Sequence, residues 1–210
     1  AEAIWQRILD DAENNTLAPV YQGEEFPCLD GIKFDRSVFA GKKYAPVTLV
    51  QYGRGCKYSC DFCSIRAFYG SNLRQRPLGQ VIDEIKKHSG KFLFLVDDNI
   101  FINGDLTREL FEALVPLKKK WFCQVSIDIA KDPSLIELMR RSGCISALFG
   151  FESLNRDNLK QMAKSWNVHY GSYDDSIRII QDAGIMIYGT FVFGYDQDTP
   201  ESFDEAVDFT

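Results

Sequence analysis

Long hydrophobic runs and an excess of basic residues are both missing from this sequence of 210 residues. The longest apolar stretches, 92–96 and 185–193, are far too short to cross a bilayer, and no charged-then-apolar leader opens the chain. Acidic residues outnumber basic ones by 30 to 24, which argues against a broad phosphate-binding surface. The sequence therefore predicts a cytoplasmic protein with no transmembrane segment, and nucleic acid is not expected as its main partner.

An initiating methionine is also missing, and the chain stops at Thr210 inside an amphipathic pattern that has only just begun. We therefore expect a piece of a longer protein. Residues 1–45 scatter prolines and glycines among charges after a short helical pattern, which is typical of an N-terminal arm or linker. Residues 46–210 are expected to form the core domain, truncated at its C-terminus.

Six cysteines are present, but the loop-rich composition of a small disulfide-bonded scaffold is absent. Half of the cysteines lie within eight residues, at positions 56, 60 and 63. This crowding favours reduced thiols that bind a metal over three disulfides.

The architecture is predicted from short apolar runs that alternate with helical periodicity, a pattern typical of βα units and a parallel sheet. Helix starts are marked at Pro77 and at Asp132-Pro133. Because βα units coil right-handedly, five of them curl towards a barrel or a doubly wound sheet whose ligand site lies at the carboxyl ends of the strands. The predicted strands are 47–51, 92–96, 122–127, 145–150 and 186–193.

The loop after the first predicted strand reads GRGCKYSCDFC from Gly53 to Cys63, so three thiolates can converge there. A structural zinc site usually needs four nitrogen or sulfur ligands, and no second cysteine or histidine pair has suitable spacing. Three cysteines would leave one iron of a 4Fe-4S cluster open, as a catalytic metal site requires. Gly53 and Gly55 would let the backbone wrap closely around such a cluster.

This Cys-x3-Cys-x2-Cys loop, with the aromatic Phe62 just before the third cysteine, resembles the hallmark of radical S-adenosylmethionine (SAM) enzymes. The resemblance implies that Cys56, Cys60 and Cys63 hold a 4Fe-4S cluster that cleaves SAM reductively to a 5'-deoxyadenosyl radical. It implies that Phe62 contacts the adenine region of SAM. It also implies an α/β fold of the family's (β/α)6 TIM-like barrel type, here partial, with about five βα units.

Polar residues follow the later predicted strands, and the resemblance makes several of them SAM-binding candidates. Gln124, Ser126 and Asp128 alternate along the third predicted strand and can point to one face, which in a barrel is the interior. Turn formation, helix capping or a half-solvated strand would explain such residues equally well. The cofactor-binding candidates are Phe62, Asp97, Asp98, Asn99, Gln124, Ser126, Glu152 and Gly194.

Segments beyond the loop resemble the cobalamin-associated branch of this family, which includes hopanoid methylases. They are CSIRAFYG at 63–70, VDDN at 96–99 and IYGTFVFG at 187–194. The resemblance implies hydrogen abstraction from an unreactive carbon and methyl transfer from methylcobalamin, with a cobalamin domain preceding residues 1–45 in the parent protein. The implied partners are a small-molecule or lipid-like substrate and an electron donor such as flavodoxin or ferredoxin.

Two other functions remain open at this point. A radical SAM enzyme of another type, such as a methylthiotransferase acting on tRNA, shares the loop but normally carries a basic RNA-binding appendage. An electron-carrying iron-sulfur module would need a fourth ligand from Cys28, Cys123 or Cys144.

Overall fold

The computed structural model describes residues 2–23, 26–168 and 173–210. Its strands are β1 (Val47–Val50), β2 (Gly53–Arg54), β3 (Arg74–Gln75), β4 (Phe92–Leu95), β5 (Lys120–Gln124), β6 (Cys144–Glu152) and β7 (Met186–Phe191). Its α-helices are α1 (Trp5–Glu13), α2 (Ser64–Tyr69), α3 (Leu78–Lys86), α4 (Gly104–Leu114), α5 (Pro133–Arg141), α6 (Arg156–Gln161), α7 (Tyr173–Asp182) and α8 (Glu201–Phe209). No helix of these described ranges is both long and apolar enough to span a membrane.

Five strands form one parallel sheet in the order β1-β4-β5-β6-β7. This arrangement confirms the predicted α/β class. Within the described ranges no pairing joins the two edge strands, β1 and β7, so the sheet is an incomplete barrel. The short strands β2 and β3 pair separately as an antiparallel ribbon beside the cysteine loop.

The third predicted strand was placed too far along the chain. The structure ends β5 at Gln124, and a 3-10 helix covers Ile127–Lys131. The ladder stops because the Asn99 side chain, rather than the neighbouring strand, accepts the backbone N–H of Ser126 at 3.1 Å. Ser126 and Asp128 therefore do not continue the strand. Gln124 and Ser126 still face one cavity, but Asp128 does not line it, so the predicted shared face is wrong for Asp128.

The predicted helix starts are confirmed where capping chemistry is strong. The Asp132 side chain accepts the backbone N–H of Leu135 at 3.0 Å, and Pro133 is the first residue of α5. Two short helices, α2 and α6, and the β2–β3 ribbon were not predicted. Each helix has only six residues, too few for helical periodicity to be distinguished from chance.

Candidate functional site

The carboxyl ends of the parallel strands surround a cavity of about 500 Å³. Most of the residues predicted for the site line this cavity, although they come from the loop after β1 and from the ends of β4, β5 and β6. They are Cys56, Cys60, Phe62, Cys63, Asp98, Asn99, Gln124, Ser126 and Glu152. Asp97 and Gly194 do not line it.

The three cysteines occupy one compact loop between the β2–β3 ribbon and α2. Cys63 is the residue that precedes α2, and its backbone N–H donates to the Cys60 carbonyl at 3.2 Å. All three thiols are free. Gly55 has a φ of +95°, and a Cβ there would collide with the Asn72 carbonyl oxygen. The loop therefore requires glycine at this position.

Two aspartates at the end of β4 hold the start of this loop by its backbone. The Asp97 carboxylate accepts the N–H of Tyr52 at 2.8 Å and of Gly53 at 2.6 Å. The Asp98 carboxylate accepts the N–H of Gly55 at 2.8 Å. Asp97 is 1% exposed, and burial raises its pKa to about 7 although both backbone hydrogen bonds act in the opposite direction. Asp97 thus supports the loop from behind, whereas Asp98 also faces the cavity.

Asn99 connects the cysteine loop to the end of β5. Its amide nitrogen lies 3.8 Å from the Cys56 sulfur and 3.0 Å from the Ser126 hydroxyl. Its amide oxygen accepts the backbone N–H of Ser126. These contacts place Ser126 beside Gln124 in the cavity wall, even though Ser126 lies outside the strand.

A buried ion pair forms another part of the cavity wall. Lys164 donates to Glu152 at 2.6 Å, and their side chains are only 8% and 10% exposed. Glu152 has a φ of +64°, an unusual value for a residue other than glycine. A Cβ at Gly150 would collide with the Glu152 carboxylate, so glycine there leaves room for the pair. Burial raises the pKa of the nearby Cys60 thiol to about 11, and the Lys164 charge opposes that increase.

The cavity residues that sequence reasoning missed include Tyr58, Lys164 and Trp166. Lys164 and Trp166 follow α6 in a stretch without a recognised motif, and one lysine among many gives no signal. Gly194, by contrast, was predicted but lies in the turn after β7, with a φ of +105° and its N–H donated to Asp198 at 2.7 Å. That turn still reaches the cysteine loop, because the Tyr195 hydroxyl donates to Asp61 at 2.9 Å.

The three cysteines form a donor set that is compatible with an iron-sulfur cluster. Across the described ranges, no three Cys, His, Asp or Glu side chains converge closely enough to hold one metal ion. Three thiols spread around one cavity are compatible with a four-iron cluster, because each thiolate binds a different iron atom. Cys56, Cys60 and Cys63 can therefore serve as the three ligands.

The cavity lies where α/β enzymes bind their ligands, at the carboxyl ends of the parallel strands. The family model of the Radical SAM superfamily matches residues 50–210. The chain belongs to this superfamily, whose members use a 4Fe-4S cluster and SAM. The family resemblance inferred from the cysteine loop is confirmed.

Several curated relatives of the chain are methyltransferases, and two are anaerobic magnesium-protoporphyrin IX monomethyl ester cyclases. It is 31% identical to bacteriochlorophyllide d C-12(1)-methyltransferase of Chlorobaculum tepidum, over 99% of this chain and 48% of that protein. It is 32% identical to hopanoid C-2 methylase of Rhodopseudomonas palustris, over 76% of this chain and 32% of that protein. The chain thus spans about half or less of the length of these relatives, whose names agree with the predicted branch.

The fold is also shared with solved structures. The radical SAM methyltransferase TsrM from Kitasatospora setae, solved with cobalamin and a 4Fe-4S cluster, aligns with a TM-score of 0.68 at 18% identity. The alignment covers 78% of this chain and 34% of that one. This likeness confirms the predicted radical SAM barrel fold.

Proposed function

We propose that this chain is the radical-generating core of a SAM-dependent methyltransferase. Cys56, Cys60 and Cys63 hold a 4Fe-4S cluster, which when bound supplies the electron for reductive cleavage of SAM to a 5'-deoxyadenosyl radical. The observation that carries the proposal is that these cysteines and the Glu152–Lys164 pair line one cavity of about 500 Å³. Metal ligands and a charged pair thus face the same space.

The amino-acid end of SAM carries an ammonium and a carboxylate, and the cavity offers one partner for each. Glu152 can accept from the ammonium, and Lys164 can donate to the carboxylate. In the structure the two side chains neutralise each other through one contact of 2.6 Å. A zwitterionic ligand can replace this contact with two, one between its ammonium and Glu152 and one between its carboxylate and Lys164. Charge complementarity therefore favours an amino acid at this wall.

The remaining candidates surround the space between the cysteines and the strand ends. Asp98, Asn99, Gln124 and Ser126 supply hydrogen-bonding groups to the cosubstrate, and Phe62, with 41% of its surface exposed, provides an aromatic face for the adenine region. Asp97 supports the cysteine loop by accepting a backbone hydrogen bond at its start. Gly194 belongs to the neighbouring turn after β7, where its N–H donates to Asp198.

For the whole protein we propose hydrogen abstraction from an unreactive carbon followed by methyl transfer from cobalamin. The methyltransferase relatives and the structural likeness to the cobalamin-bound TsrM support this proposal. In it, residues 1–45 are the arm that follows a cobalamin domain and residues 46–210 are the radical SAM core. The family match from residue 50 and the absence of buried residues in α1 support that division.

The partners we propose are a small-molecule or lipid-like substrate and an electron donor such as flavodoxin or ferredoxin. We also propose a cytoplasmic location, because all six cysteines are free thiols and a cluster needs reducing surroundings.

Anaerobic reconstitution with iron and sulfide tests the core of this proposal. The electron paramagnetic resonance spectrum of the reduced protein should show a cluster signal that changes on addition of SAM. Cys60→Ala should abolish the signal. A cluster that ignores SAM would indicate an electron carrier, and an intact iron and sulfide content in Cys60→Ala would rule out the assigned ligands.

The ion pair can be tested separately with Glu152→Gln and Lys164→Met. Each removes one charge-assisted hydrogen bond, worth about 1.5–3 kcal/mol, so SAM should bind about 10- to 100-fold more weakly. Lys160→Met is the matched control, because Lys160 makes a 2.6 Å pair with Asp157 on the surface. Unchanged SAM affinity in both ion-pair variants would refute their role.

A further inference from the structure

The residues between the first two cysteines of the loop are bound to a single carboxylate. Lys57 donates to Asp128 at 2.9 Å, and the Tyr58 hydroxyl donates to the same oxygen at 2.5 Å. Asp128 is 8% exposed, belongs to the 3-10 helix Ile127–Lys131 and does not line the main cavity. It therefore contacts the loop from beneath rather than reaching the space where a ligand binds.

The Asp128 carboxylate is charged at neutral pH. Burial raises its pKa, but hydrogen bonds from Ser126, Tyr58 and Lys57 outweigh the burial and bring the pKa below its ordinary value. The Lys57 ammonium lies 4.0 Å from the centroid of the Phe101 ring. Lys57 is thus held between a carboxylate and an aromatic face, both outside the loop.

The same stretch of loop is fixed from a second side. The Tyr58 ring stacks on Trp166, with centroids 3.5 Å apart and planes 5° from parallel. Trp166 lies two residues after Lys164, and both line the main cavity. The backbone N–H of Asp61 donates to the Met162 carbonyl at 3.1 Å, so a third contact ties the loop to the segment after α6.

We infer that Lys57, Tyr58, Asp128 and Trp166 form a clamp that positions the cysteine loop before any cluster is bound. The clamp joins the loop to the segments that follow β5 and β6. The stretch of loop between Cys56 and Cys60 is therefore fixed by contacts with both segments. An unclamped loop would have to lose backbone conformational entropy when it bound a cluster, and the clamp removes much of that cost beforehand. Asp128 and Trp166 are positioning residues, and the inference rests on the proposed cluster-binding function.

The clamp is tested first without a cluster, by hydrogen exchange of the iron-free chain under anaerobic conditions. Tyr58→Ala removes both the hydrogen bond and the stacked ring, and Asp128→Ala removes the shared acceptor. Each should speed amide exchange in peptides covering residues 56–61 at least tenfold. Tyr58→Phe keeps the ring and should restore part of the protection. Exchange in peptides of α3 (Leu78–Lys86) should stay unchanged in all the variants, which a general loss of stability would not allow.

Tyr21→Phe is the matched control, because Tyr21 also donates to an aspartate, Asp11, at 2.7 Å but lies in the N-terminal arm. It should leave exchange at 56–61 unchanged. In the reconstituted protein, Tyr58→Ala should release iron to a chelator several times faster than the parent chain and Tyr58→Phe should fall between them.

Unchanged exchange and iron release in folded Tyr58→Ala and Asp128→Ala would overturn the clamp. If Asp128→Ala does not fold, Tyr58→Phe and Tyr58→Ala decide the question by themselves. If the parent chain binds no cluster but exchange is still faster in the variants, the proposed function is contradicted. The clamp would then be supported as a set of contacts that holds the loop in place without a cluster.

Discussion

Replacing Asp97 with alanine tests whether this carboxylate supports the cysteine loop or binds the cosubstrate. Its two oxygens accept the backbone N–H groups of Tyr52 and Gly53, in a place that is 1% exposed. Alanine would leave two buried donors unpaired, at about 1–3 kcal/mol each. We expect the free energy of unfolding to fall by about 2–6 kcal/mol, a large share of the roughly 5–15 kcal/mol typical of a domain.

Urea unfolding followed by circular dichroism measures this loss, and Asp97→Asn is the matched variant. The amide keeps one acceptor oxygen, so its loss should be about half as large. SAM affinity of the folded, reconstituted variants should stay within about threefold of the parent chain. The reasoning is refuted if Asp97→Ala unfolds within about 0.5 kcal/mol of the parent chain while its SAM affinity collapses, because Asp97 would then be a ligand contact.

Two further outcomes are expected. Gly55→Ala should prevent cluster assembly and lower the melting temperature, because its Cβ meets the Asn72 carbonyl. Gly70→Ala, also at positive φ but with open space, should cost only the backbone strain of about 1–3 kcal/mol. Equal melting temperatures of the two variants would contradict this. Burial raises the pKa of Asp97 to about 7 in the folded chain, so the folded form binds this proton more tightly than the unfolded form and stability falls as the pH rises from about 4 to 7. Asparagine does not titrate, so between pH 5 and pH 8 the parent chain should lose about 2–3 kcal/mol of unfolding free energy relative to Asp97→Asn. If the unfolding free energies of the two chains change in parallel with pH, the raised pKa of Asp97 is contradicted.

The sheet could be predicted from sequence because its strands are short apolar runs that end at polar residues. The runs that became β1, β4, β6 and β7 were placed within a few residues of their observed bounds. The prediction for 122–127 was wrong at its C-terminal end, because Ile127 is apolar for a different reason. It is buried in the core as the first residue of a 3-10 helix. An apolar residue indicates burial but not whether the buried backbone is a strand or a helix. The Asn99 side chain that ends β5 makes a contact between residues far apart in the sequence, and the local sequence pattern cannot predict it.

The cysteine loop was predictable because its chemistry is local, with three thiols within eight residues. The part of the wall that Lys164 and Trp166 form could not be predicted, since these residues reach the cavity only through the fold of the segment after β6. Asp128 was predicted as a candidate for ligand contact from its spacing to Ser126. The change from strand to 3-10 helix turned it beneath the loop, where it contacts Lys57 and Tyr58.

The backbone at Glu152 supports a binding role for the ion pair on independent grounds. A residue other than glycine at a φ of +64° costs about 1–2 kcal/mol, and β6 breaks its register with β7 between Gly150 and Glu152. A glycine at position 152 would relieve that strain but remove the carboxylate, and a side chain at position 150 would displace it. Backbone strain of this kind persists only where the surrounding contacts hold the residue in place, which is typical of functional sites. Glu152 is thus held in this conformation both by its pairing with Phe191 of β7 and by the contact of its carboxylate with Lys164 at the cavity wall.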